Sequence, residues 1–247
     1  MKASELQDHM AGTYFSLRWG MVVIAFAFPI VVTLGGFFLF KSGLLASLSA
    51  YYYTGVRDVF VGLLVAIGVC LYLYKGFSMS ENVALNLAGV FVVAVAMFPT
   101  QSNCDKSCDL FTTHTVAAVL FFLCIAYVAI FKGPETLSLL EDEQLRKKYR
   151  RTYKTLGTVM IVSPAVALIA SLILEASTGK KFVIVFAEWL AVWIFAAYWF
   201  FKSRELASTA AETRALNRNL QTEAAPEAQA GSHIKKVFST RTIQQAT

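Results

Sequence analysis

Residues 59–74 read VFVGLLVAIGVCLYLY, a run with no charged residue and no alternation of apolar and polar positions. Similar apolar runs occupy residues 18–40, 57–74, 83–98, 112–131, 155–174 and 182–201, and the first stretch lies within the second of them. A helix rises 1.5 Å per residue and needs about 20 apolar residues to cross a hydrocarbon core about 30 Å thick. The pattern predicts six transmembrane helices, whereas strands of a membrane barrel would alternate over about ten residues.

The composition of the whole chain favours the same class. Of its residues 57% are hydrophobic and 15% are charged, and the mean hydropathy is +0.57, whereas soluble domains carry about 25% charged residues. We predict an all-α, polytopic integral membrane protein, with a six-helix domain at 1–202. Residues 203–222 are rich in helix formers and predict a helical extension, and residues 223–247, which include AAPEAQAGS, predict a flexible tail.

The basic residues predict the orientation. With an even number of spans both termini lie on one side, and that side holds 17 of the 22 Lys and Arg residues, against 5 on the other. Because basic residues near helix ends resist translocation, we expect both termini in the cytoplasm of a bacterial cell, with the protein in the inner membrane. The formal net charge is +6, and we expect this positive charge at the cytoplasmic face, where it would interact with anionic lipid headgroups. Nucleic acid is not an expected partner.

The segment 132–154 reads KGPETLSLLEDEQLRKKYRRTYK and is expected as a cytoplasmic loop. Its Leu137, Leu140 and Leu145 have a spacing that would let an amphipathic helix rest on the bilayer. The basic run that follows is interpreted first as a topology anchor, and second as a binding site for lipid headgroups.

The loop 99–111 contains Cys104 and Cys108, and the charge pattern places it outside the cell. Disulfides persist in that environment, so we expect the two thiols to form a disulfide. A zinc site that adds His114 is the alternative, but a fourth nearby ligand is missing from the sequence pattern. We therefore predict no metal and no cofactor.

Ionisable residues near helix starts are the strongest functional signal. Asp58 opens the second run, His114 opens the fourth, and Glu188 lies one to two turns into the sixth, so they are expected at one depth near the outer surface. Burying such groups in lipid is costly, which makes each a candidate for a functional role. Each of these residues has a small neighbour on the same helix face, such as Gly62 for Asp58 and Ala117 for His114. Small residues let helices pack closely in lipid, so we expect these side chains to face protein.

The segment before the second run supplies Ser49, Tyr52 and Arg57 at the same surface. A histidine beside a carboxylate could act as a general base that activates Ser49 or a water molecule, and Arg57 could hold an anionic headgroup with Tyr52 beside it. The structural alternatives are a helix-terminal carboxylate at Asp58, a histidine that satisfies a loop carbonyl, and tyrosines of an interfacial belt.

Several stretches carry a resemblance to a known group. SLSAYYYTGVRDVFVG at 47–62, MFPT at 97–100, the histidine that opens the fourth run and FAEWLAVWIFAAYWFFK at 186–202 occur in an order that resembles uncharacterised bacterial six-helix membrane proteins. These are similar in outline to the DUF998 and Frag1/DRAM/Sfk1-like families. The resemblance implies six helices with polar groups at the non-cytoplasmic face, and an association with lipid organisation for relatives of the Frag1 type.

Three functional hypotheses follow from these features. The first is an outer-leaflet site for a membrane lipid or lipid-like ligand, formed by Asp58, His114, Glu188 and the Ser49 segment, with hydrolysis as an extension of that role. The second is a non-enzymatic subunit or scaffold that binds a protein partner through the cytoplasmic tail. The third, a small proton-coupled transporter, would use the same acids as proton acceptors.

Overall fold

The computed structural model describes the backbone of residues 3–100, 112–177 and 183–210, and the side chains of residues 5, 9–100, 112–165 and 184–210. The α-helices of this part are α1 (Ala3–Leu34), α2 (Arg57–Leu73), α3 (Met79–Met97), α4 (Thr113–Tyr127), α5 (Glu143–Ser177) and α6 (Val183–Thr209). One π-helical turn, Gly35–Leu39, continues α1, and another, Val128–Lys132, continues α4. Two 3-10 helices, Ser49–Tyr53 and Gly133–Leu139, lie in the connections that precede α2 and α5.

Four helical segments are long and apolar enough to cross a membrane. In the described residues these are His9–Leu39, Met79–Met97, Thr113–Leu139 and Ile184–Thr209. Large apolar side chains also cover much of the outside of the helices, with Val23 59% and Phe186 60% exposed. Such a surface is unfavourable in water and suits contact with lipid chains. The predicted class, a membrane protein built from helices, is confirmed at this level.

The chain divides into two compact units. Thr13–Thr209 forms the larger one, which holds the helix packing and both groups of polar residues considered below. Met1–Gly12 and Ala210–Thr247 form the other, in which the described residues 3–12 are the first turns of α1. α6 ends at Thr209, so most of the predicted extension 203–222 and all of the predicted tail lie outside the described residues.

Aromatic contacts show how the helices of the larger unit run. Trp19 of α1 packs on Phe200 of α6, with 5.8 Å between ring centroids, and Phe26 packs on Trp193 at 5.7 Å. Because the numbers rise along α1 while they fall along α6, the two helices are antiparallel. α2 and α3 pack closely at Gly68 and Gly89, where a Cβ on Gly89 would come within 2.7 Å of the Gly68 carbonyl oxygen.

Polar contacts of α6 define two ends of this unit, the Glu188 end and the Lys202 end. At the Glu188 end, the start of α6 contacts the connection between α1 and α2, since Glu188 bonds to Leu48. At the Lys202 end, the last turns of α6 contact the start of α5 and the 3-10 helix Gly133–Leu139, since Glu205 bonds to Tyr153 and Thr136.

The segment 132–154 differs from the predicted loop. The 3-10 helix Gly133–Leu139 turns the chain, and α5 already begins at Glu143, so the basic run is helical. Leu137 is fully buried and Leu140 is 7% exposed, which means that these leucines pack in the protein core instead of resting on the bilayer. The expectation failed because a leucine spacing that suits a lipid-facing stripe suits a core-facing stripe equally well.

Candidate functional site at the Glu188 end

Glu188 joins two distant parts of the chain. It lies in the second turn of α6, and its Oε2 accepts a hydrogen bond of 2.5 Å from the backbone N–H of Leu48. Leu48 directly precedes the 3-10 helix Ser49–Tyr53, and the first N–H groups of a helical turn have no partner within it. The carboxylate satisfies one of them, and it thereby fixes the connection between α1 and α2 against α6.

Two serine hydroxyls accompany this carboxylate. Ser49 is buried, and its hydroxyl lies within hydrogen-bonding reach of the Glu188 carboxylate. Its Oγ lies 3.2 Å from the Oγ of Ser47, which accepts a hydrogen bond of 3.1 Å from the N–H of Ala50. Carboxylate and hydroxyls form a short polar chain at the end of the bundle, so the structure does bring Glu188 and Ser49 together.

The backbone around this chain is fixed by Tyr51, which is fully buried. Its hydroxyl donates to the carbonyl oxygen of Gly43 and accepts from the N–H of Leu45, each at 3.2 Å. A Cβ on Gly36, in the π-helical turn, would lie 2.4 Å from the Tyr51 ring, so the ring and the turn can pack only because that position is glycine. Single π-helical turns inside helices often accompany functional sites.

Arg57 and Tyr52 form an exposed pair beside the connection. The Arg57 guanidinium carbon lies 4.4 Å from the centre of the Tyr52 ring, and Nη2 donates a hydrogen bond of 2.6 Å to the Tyr52 hydroxyl. A cation–π contact at an exposed position stabilises by about 0.5–1 kcal/mol. The guanidinium is thus held in place, while Arg57 remains exposed to the surroundings.

His114 makes its hydrogen bonds to the end of α3. It is buried in the first turn of α4, and its Nδ1 lies 2.9 Å from the carbonyl oxygen of Phe98 and 3.1 Å from that of Val95. The last carbonyl groups of a helix lack partners within it, and the imidazole supplies one. This is the structural alternative that the sequence left open, and the predicted protein-facing position is confirmed.

Asp58 points away from the core. Both Asp58 and Gly62 are exposed, and the face of α2 that packs carries Phe60, Leu64 and Ile67 instead. The expectation that Asp58 and Gly62 share a protein-facing surface was therefore wrong. Among the described residues, no hydrogen bond or ion pair joins Asp58, His114 and Glu188 to one another.

A second group of polar residues, at the Lys202 end, was missed as a group by the sequence analysis. Lys202 Nζ donates to Gly133 O at 2.9 Å, to Thr136 Oγ1 at 2.5 Å and to Glu205 Oε2 at 2.8 Å. Glu205 also accepts from Thr136 at 2.7 Å and from Tyr153 at 2.8 Å. All three ammonium donors and both carboxylate oxygens are bonded, which makes this network a structural link between α5, α6 and the 3-10 helix Gly133–Leu139.

The 17 basic residues that predict the orientation include Lys202 and Arg18, which are therefore expected at the membrane surface. The Lys202 side chain is only 2% exposed and Arg18 is fully buried, with its guanidinium carbon 5.8 Å from the centre of the Tyr74 ring. The sequence feature that could have predicted this ion pair is the K-x-x-E spacing of Lys202 and Glu205, because residues three apart are neighbours on a helix.

The described residues contain no cluster of three His, Cys, Asp or Glu side chains that could hold a metal ion. Cys104 and Cys108, the predicted disulfide, lie outside the described residues, while Cys70 and Cys124 are free thiols in α2 and α4. Comparison with protein-family models, curated proteins and solved structures found no match to this chain. The resemblance drawn from the sequence thus stays a prediction.

Proposed function

We propose that the protein is a six-span integral membrane protein of the bacterial inner membrane, with cytoplasmic termini, that binds a lipid or lipid-like molecule at its Glu188 end. α2 has 17 residues, the lower limit for a span. α5 enters the apolar run 155–174 after its charged first turns. The excess of basic residues on the side that holds the termini supports a cytoplasmic Lys202 end and an external Glu188 end.

The surroundings of Glu188 suit an amphiphile. The polar groups are a carboxylate, two serine hydroxyls and, at the exposed edge, the guanidinium of Arg57. The π-helical turn before the connection carries apolar side chains that face outward, with Phe38 69% and Leu39 76% exposed. A polar headgroup would bind to these polar groups and an apolar chain to the exposed side chains of the π-helical turn, whereas a water-soluble metabolite does not require an apolar surface.

The observation that carries the proposal is the position of Glu188 itself. A carboxylate inside a spanning helix costs about 2.5–3.5 kcal/mol to insert at the bilayer centre, less near the surface, and such residues usually mark a binding site or pathway. Glu188 is half-buried, and of its two carboxylate oxygens Oε2 accepts from the Leu48 N–H. The proposal is for binding, because no hydrogen bond among the described residues joins His114 to Glu188 or to Ser49.

We expect Glu188→Gln to lower the amount of lipid that co-purifies with the full chain by about tenfold, which corresponds to about 1.4 kcal/mol. Glutamine keeps an oxygen that can accept from the Leu48 N–H, so the fold is retained while the charge is lost. Ser49→Ala is expected to reduce binding several-fold. Native mass spectrometry of the detergent-solubilised protein measures the lipid-bound fraction directly.

Two control variants make this experiment decisive. Glu141→Gln removes an exposed carboxylate from the segment before α5 and should leave the lipid-bound fraction unchanged. Asp58→Asn removes the exposed acid near Arg57, and a reduction smaller than that of Glu188→Gln is expected. Unchanged lipid with Glu188→Gln, or loss of lipid with Asp58→Asn alone, would contradict a site centred on Glu188.

A further inference from the structure

The surface of α5 near its start contains a basic concavity. Its volume is about 510 Å³, and it is lined by Lys147, Lys148, Arg151, Thr152, Thr155 and Leu156. At 100° per residue these side chains occupy one half of the helix, and the buried Tyr153, Gly157 and Met160 occupy the other. Three cations and two hydroxyls therefore face the same space on the outside of the bundle.

The cations of this concavity are largely unneutralised. Lys147 pairs with Glu143 at 2.8 Å, and both side chains are at least 70% exposed, so the pair is loose and open to exchange. In the described residues Lys148 and Arg151 form no ion pair with an acid. A guanidinium, two ammonium groups and two hydroxyls together match the oxygens of a phosphate diester, which accept several hydrogen bonds at once.

The order of the lining residues along α5 matches the layers of a leaflet. Cations come first, at 147–151, then hydroxyls at Thr152 and Thr155, and then Leu156, just inside the apolar run that begins at 155. From Lys147 to Leu156 the helix rises about 14 Å. That distance covers the headgroup layer, about 5–8 Å thick, and the first part of the hydrocarbon region.

We infer that this concavity binds the headgroup of an anionic phospholipid in the leaflet at the Lys202 end, with the phosphate between Lys148, Arg151 and the threonine hydroxyls. The acyl chains then continue beside Leu156 along α5. A free phosphate would contact only the cations and hydroxyls of this surface, whereas a phospholipid would also contact its apolar part at Leu156. The inference depends on the membrane position of α5, and it is independent of any ligand at Glu188.

The test is a titration of the full chain in zwitterionic detergent with dioleoylphosphatidylglycerol, in which native mass spectrometry gives the bound fraction. Lys148→Gln/Arg151→Gln is expected to weaken binding about 30-fold, given about 1 kcal/mol for each basic residue at an anionic surface. The matched control is Arg150→Gln/Lys154→Gln, which removes one Arg and one Lys from exposed positions outside the concavity. It should change binding less than threefold.

Two further measurements distinguish a specific binding site from general electrostatic attraction between the basic surface and the lipid. Thr152→Val/Thr155→Val leaves the charge unaltered and is expected to weaken binding several-fold. Inorganic phosphate at equal concentration should not displace the lipid, and Lys148→Gln/Arg151→Gln should weaken binding by the same factor in a Glu188→Gln background. Equal weakening by the two double charge variants, or displacement by phosphate alone, would overturn the inference in favour of general electrostatic attraction or a site for a soluble anion.

Discussion

Glu205→Gln is expected to lower the free energy of unfolding by about 3–5 kcal/mol, because it leaves the buried ammonium of Lys202 without its anion. The glutamine oxygen can still accept one of the hydrogen bonds from Thr136 and Tyr153, but its amide N–H groups would face donors in place of an acceptor. Titration with SDS in mixed micelles measures the loss, with fluorescence of the tryptophans, among them Trp199 in the same part of α6, as the signal.

The exposed pair Glu143–Lys147 provides the matched control. Its N–O distance, 2.8 Å, equals that of Lys202–Glu205, but its side chains are 76% and 70% exposed, against 2% and 0%. Glu143→Gln should therefore cost less than about 0.5 kcal/mol. The double variant Lys202→Met/Glu205→Leu should recover part of the loss, because no charge is left buried. Equal effects at the exposed and the buried pair would show that the Lys202 network is open to solvent.

The sequence predicted the elements of the fold well because lipid imposes a simple requirement. Long apolar runs predict helices whatever these pack against, and the run that includes residues 59–74 corresponds to α2. The starts of two helices were predicted less accurately. α1 begins at Ala3 and α5 begins at Glu143, in each case well before the apolar run. Polar first turns form helix readily, and hydropathy carries no signal of them.

The site was predicted only in part, for a different reason. Hydropathy along a membrane helix hardly distinguishes the protein-facing side from the lipid-facing side, because both are apolar. Small neighbours therefore suggested the correct face for His114 and the wrong one for Asp58, because Gly62 is exposed and a Cβ added there would meet nothing within 4 Å. The contact of Glu188 with the N–H of Leu48 spans 140 positions and involves a backbone group, so residue types alone could not indicate it.

Gly89→Ala is expected to destabilise the protein by about 2–3 kcal/mol, although alanine forms helix better than glycine by about 1 kcal/mol. The new Cβ would lie 2.7 Å from the Gly68 carbonyl oxygen and 3.2 Å from the Tyr72 nitrogen. These are backbone atoms of α2, so neither can swing aside as a flexible side chain would, and the two helices must move apart. Separation of the helices then weakens the packing of Leu85 and Leu71, which are fully buried.

Gly62→Ala, in the middle of α2, separates this contact from helix propensity. A Cβ at Gly62 meets nothing within 4 Å, so the same change should stabilise the protein by up to about 1 kcal/mol, the opposite sign. In Gly68→Ala the new Cβ would lie 2.9 Å from the Gly89 carbonyl oxygen, so this change should also destabilise the protein. The double variant Gly68→Ala/Gly89→Ala should cost less than the sum of the two single changes, because one outward shift of α3 relieves both clashes. Strict additivity in SDS unfolding would mean that the two glycines do not share one crossing point.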